Sequence, residues 1–190
     1  ADVESAIALL HLFWYEEAAR TFARAAREGP RCAMAHWGMA MSEYHPLWSP
    51  LDSLAIARGW RAARIARDAS APTARERAWV ATAESLYAPV PGRTSALRSV
   101  AVQRAMVILR QDFPDDLEAM AFEALSLLAT ASPRDLTYAN QLRAAALLDT
   151  VAARAPDHPG VTHYFIHAYD VPPLAARGLA AARHYARIAP

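Results

Sequence analysis

The chain has 190 residues, 54% of them apolar and 21% charged, with a formal charge of +1 in which the two signs are interspersed. This composition excludes a disordered polymer, and it excludes the one-signed electrostatic footprint that binds nucleic acid or an anionic membrane. Cys32 is the single cysteine and all 20 basic side chains are arginine, so neither an internal disulfide nor a thiolate metal cluster can form within the chain.

In chain order the first predicted element is a helical hairpin, "VESAIALLHLFWY" followed by "EEAARTFARAAREGP", which ends at Pro30. Its longest apolar run, Ala6 to Tyr15, is interrupted by His11 and is far shorter than the roughly 18–20 residues that cross a bilayer, so no membrane insertion is expected. A helix over "AMAHWGMAMSEY" comes next, then the proline-flanked connection "HPLWSP" and a second helix over "LAIARGWRAARIARDA". The same order recurs with "RERAWVATAESL" and "SALRSVAVQRAMVILRQ", with "LEAMAFEALSLL" and "YANQLRAAALLDTVAAR", and with "PGVTHYFIHAYD" and "ARGLAAARHYARIA". The second helices place apolar residues three and four apart, as an amphipathic helix requires, and no segment shows the two-residue alternation of a strand.

The connections between hairpins carry a period. Pro30, Pro72, Pro114 and Pro156 are each 42 residues apart, and each closes one helical stretch and precedes another, because proline cannot sit inside a helix. Aligned three residues beyond each proline, the first helices stack without gaps: Trp37 falls on Trp79, and small Ala40, Thr82 and Ala124 recur where two helices must approach closely. The pattern predicts an all-α chain built as a right-handed α-solenoid of about five helix-turn-helix hairpins, three of them extended to the 42-residue period. It reads as a single domain over 1–190. The array ends at "AARHYARIAP" with no polar capping helix, so it is expected to be a fragment of a longer array, with a homo-oligomer forming through the uncapped C-terminal end as a further expectation. The start at Ala1, without methionine, points to a processed or trimmed beginning.

Measured back from Pro30, Ala18, Phe22 and Ala25 occupy the small, aromatic and small positions of a tetratricopeptide second helix, and Ala144, Leu148 and Val151 do so before Pro156. Over nearly its whole length the chain therefore resembles the tetratricopeptide repeat family, with the family's usual glycine replaced by Ala40, Thr82, Ala124 and Ile166. The blocks "LLHLFWYEEAARTFARAA", "CAMAHWGMAMSEYHPLW", "YANQLRAAALL" and "HPGVTHYFIHAYDVPPLAARGLAAARHYARIAP" resemble a group of longer bacterial tetratricopeptide proteins without a settled activity. That resemblance implies continuation beyond Pro190, an upstream cysteine able to pair with Cys32, and an exported origin, periplasmic or secreted, with a cytoplasmic one as the alternative.

In such repeats the first helices line the concave side. The rule selects Met34, Trp37, Met41 and Tyr44 as a methionine and aromatic strip suited to a hydrophobic peptide, the alternative being that the strip buries against neighbouring helices. It also selects His163, His167 and Asp170, while Trp48 in "HPLW" is positioned to close over a groove edge. Imidazoles four apart on a helix can share one metal ion, so His163 and His167 are candidate ligands for zinc or copper, or else histidines hydrogen-bonded in the groove. Two ligands are half a zinc site, and the rest would come from outside this chain. There is no glycine-rich phosphate loop, paired-cysteine motif or GxSxG serine. The expected function is a non-catalytic protein- or peptide-binding scaffold with no cofactor; the alternative is a metalloprotein or metalloenzyme built on His163 and His167.

Overall fold

The structure, a computed structural model, describes residues 2–69 and 71–188, except for the side chain of Ile188. Ala189 and Pro190, on which the expected uncapped end and its oligomer contact rest, lie outside the described residues. Ten helices run through the described residues, which contain no strand: α1 (Asp2–His11), α2 (Tyr15–Glu28), α3 (Ala33–Met41), α4 (Ser53–Asp68), α5 (Ala74–Tyr87), α6 (Ser95–Asp112), α7 (Leu117–Ala129), α8 (Ala139–Arg154), α9 (Pro159–Tyr169) and α10 (Ala175–Ile188). None is long and apolar enough to cross a membrane.

The helix starts follow local chemistry. Asp52 accepts from the Ala55 amide at 2.7 Å to open α4, and Asp116 from the Ala119 amide at 3.3 Å to open α7. A full capping box opens α5: Thr73 accepts from the Glu76 amide at 3.0 Å while Glu76 accepts from the Thr73 amide at 3.1 Å. His158 opens α9 with its ring, Nδ1 accepting from the Gly160 amide at 3.2 Å just ahead of Pro159. The helix expected over 33–44 stops at Met41; the Ser42 hydroxyl donates back to the Gly38 carbonyl at 2.8 Å, and the chain turns towards Pro46.

The chain divides into two compact units, Ala1–Leu109 and Arg110–Pro190, the division falling within α6. In the first unit each of α1 to α4 packs on the helix after it, and the first helices of successive hairpins also touch, α1 on α3 and α3 on α5. Phe22, Trp37 and Trp79 form an edge-to-face run through this core, with ring centroids 6.5 and 5.1 Å apart. Trp37 donates to the Thr82 hydroxyl at 3.1 Å and the Tyr87 hydroxyl donates to the Ala40 carbonyl at 2.8 Å, so the small residues at 40 and 82 sit where α3 meets α5. Buried Arg98 donates to the carbonyls of Leu86 and Ala88, which satisfies the C-terminal end of α5.

In the second unit α7 packs on α8 and α9, α8 on α9, and α9 on α10. Every residue of α7 from Ala119 to Leu128 is buried, including Glu123, whose carboxylate pairs with Arg110. Leu127, Leu148, Val151 and Tyr164 complete this core. The His158 ring lies between two groups of this unit, with Nδ1 accepting from the Gly160 amide and Nε2 lying 3.3 Å from a Glu118 carboxylate oxygen.

Candidate functional site

The residues expected to line a groove in the first unit separate into two groups. Trp37, Met41 and Tyr44 are buried and Met34 is half-buried. The physical reason is that α5 lies against α3 and takes up the face that a ligand would need: Trp79 closes on Trp37 from that side. Tyr44 is tied inward as well, its hydroxyl donating to Ser99 Oγ at 2.9 Å, and burial pushes its phenol up to about 12.

Trp48 behaves in the opposite way. It is 65% exposed on the connection between α3 and α4, in a turn in which the Trp48 amide donates to the His45 carbonyl at 3.2 Å and which Pro46 and Pro50 flank. The loop is anchored to α6, because the Leu51 amide donates to Ser95 Oγ at 3.0 Å. Between them lies an open hollow of about 300 Å³ whose lining includes Tyr44, Leu47, Trp48, Ser95 and Ser99. Phe13 meets the Trp48 ring edge-on at 6.5 Å and stacks on Tyr15 at 5.5 Å, and Tyr15 in turn stacks on His45 at 4.0 Å. Phe13 takes a left-handed backbone conformation, φ 60°, to reach this position. Trp48 thus stands at the edge of an aromatic cluster and also lines the hollow that contains Ser95 and Ser99.

In the second unit α9 brings His163 and His167 together. Their Nε2 atoms are 3.2 Å apart and both rings are half-buried. Tyr185 of α10 stacks on His163 with ring centroids 5.0 Å apart and planes 19° from parallel. Desolvation holds the His167 imidazole below its ordinary value, which the charge of Asp170 partly offsets. Asp170 itself is exposed at the C-terminal end of α9 and does not join the pair: among the described residues no His, Cys, Asp or Glu ligand atom completes a three-ligand group with His163 and His167 within 4.8 Å. His36 and His45 belong to the first unit and bond to backbone carbonyls of Pro30 and Ser42.

A second hollow, of about 480 Å³, lies between α8, α9 and α10. Val161, Phe165 and Tyr169 give it apolar walls and Asp149, Arg177 and His184 supply its polar groups. Neither this hollow nor Tyr185 is marked by the repeat rule, which scores only the first helix of each hairpin. The spacing signal available for them is the return of α10 antiparallel to α9. Set against known proteins, the chain matches no family model, no curated protein and no solved structure.

Proposed function

We propose that the chain is a non-catalytic helical-repeat scaffold of tetratricopeptide type, a right-handed α-solenoid that binds a protein or peptide segment. Two features support the architecture: the 42-residue recurrence of its hairpins and the consecutive packing of α1 to α5 in the first unit and of α7 to α10 in the second. Trp48 is the single observation that carries the binding role. Large aromatic side chains are normally withdrawn from water, and here one stands 65% exposed on a proline-stiffened loop at a hollow whose lining includes Ser95 and Ser99. Such a ring can anchor an apolar side chain of an extended peptide while Ser95 and Ser99 meet its backbone, and the stiff loop limits the ordering cost of binding.

The test is a displayed library of random peptides selected on the intact protein, with the selected sequences measured by calorimetry. Trp48→Ala is expected to weaken them at least tenfold, about 1.4 kcal/mol or more. Leu136→Ala, at a still more exposed apolar residue in the second unit, is expected to leave them unchanged. Failure to enrich any sequence over a blank support, or equal binding by Trp48→Ala, would overturn the proposal.

A further inference from the structure

The pair of imidazoles on α9 goes beyond the peptide-binding reading. The geometry points to a two-histidine chelate for a divalent transition-metal ion, formed by the Nε2 atoms of His163 and His167, with its remaining coordination positions left to water or to an external donor.

The argument rests on distance. Zinc–imidazole bonds run at roughly 2.0–2.1 Å, so an ion equidistant from two nitrogens 3.2 Å apart subtends an N–metal–N angle of roughly 100–106°, close to tetrahedral. Residues four apart on a helix bring Cβ atoms to about 5–6 Å, which permits such an approach but does not impose it, since either ring could rotate to solvent. Here the rings converge. Tyr185 stacks on His163 from the neighbouring helix and limits its rotation, and His167 is half-buried, so less freedom remains to be lost when an ion arrives. In the metal-free protein the same two nitrogens face each other at hydrogen-bonding distance, which requires a proton on one and a lone pair on the other. Ion binding directs both lone pairs at the metal. That proton then moves to the Nδ1 of its own ring, or leaves to solvent if the pair was cationic.

The all-nitrogen donor set and the stability order of divalent ions place copper(II) as the tightest occupant and zinc(II) next, with magnesium and calcium excluded by their preference for oxygen. Only two donors come from this site, so water or an added donor completes the coordination sphere, and the ion stays exchangeable.

The experiment titrates the metal-free 190-residue protein with copper(II) and, separately, zinc(II), in a non-coordinating buffer. One equivalent is expected to bind, with at least tenfold weaker affinity in His163→Gln and in His167→Gln. These substitutions keep a polar, hydrogen-bonding side chain, and circular dichroism establishes that the fold is intact. Tyr185→Ala is expected to weaken binding several-fold without changing stoichiometry. Electron paramagnetic resonance of the copper form is expected to show coupling to two imidazole nitrogens, and to one in either glutamine variant. Undiminished affinity in the two variants, or loss of binding in His36→Gln or His184→Gln alone, would place the ion elsewhere and overturn the inference, as would the absence of any saturable binding. Peptide capture through Trp48 is read independently of all these outcomes.

Discussion

Two glycines show how far a single atom decides the packing of the first unit. A Cβ built at Gly38 would lie 2.2 Å from the ring of Phe22, and one at Gly59 would lie 2.3 Å from the ring of Tyr87. Both rings are fully buried and have nowhere to move. Alanine is ordinarily the better helix former by about 1 kcal/mol, so on an isolated helix either replacement would stabilise. In this packing the overlap dominates: Gly38→Ala and Gly59→Ala are each expected to lower stability by about 1–3 kcal/mol, read as a reduced urea midpoint with an unchanged denaturant slope. An unchanged midpoint would mean that α2 and α3, or α4 and α5, are not in this contact. Residue-scale chemistry was only partly legible in advance. The i, i+4 spacing of His163 and His167 is plain in the chain, whereas their convergence at 3.2 Å depends on ring rotamers that spacing does not fix. Burial of Trp37 was the other half of an open alternative, because a stripe at helical spacing says that a face is apolar without saying which neighbour covers it.

At the scale of elements, the proline spacing located the helices because chain-breaking residues act through the backbone alone, before any tertiary contact is considered. The expected starts of α6, α7 and α9 coincide with the structure, and α5 begins one residue before its expected segment. Ends were less legible where a side chain intervenes. The Ser42 hydroxyl bond to Gly38 closes α3 early, and Tyr138, at φ 55°, delays α8 to Ala139. The capping box of α5 supplies a test of the local account. Thr73→Ala removes one half of a reciprocal pair, leaves the Glu76 amide to water, and is expected to cost about 1 kcal/mol in thermal or chemical denaturation, with Thr73→Ser close to wild type. A loss in the serine variant equal to that in alanine would show that the methyl group, and not the cap, is what α5 needs.

For the whole molecule, the all-helical class and the pairing of sequence neighbours were readable from periodicity, since a 42-residue recurrence of hairpins makes most contacts local. The proposed solenoid makes a size prediction. A globular chain of 190 residues has a radius of gyration of about 16 Å, and a stack of five hairpins extended along one axis must exceed it. Small-angle scattering of dilute protein is expected to give a value clearly above that figure, while a value at the globular limit would remove the solenoid and leave only the helical class.

The burial of α7 on nearly every side has a consequence during synthesis. The polypeptide leaves the ribosome N-terminus first, so α7 emerges before α8 and α9, the helices that will cover it. In that interval the run from Ala119 to Leu128 is a sticky ten-residue segment, interrupted by one carboxylate, that of Glu123. The Glu123 carboxylate, paired with Arg110 in the finished core, is the one charge that breaks this apolar run before α8 and α9 arrive to cover it.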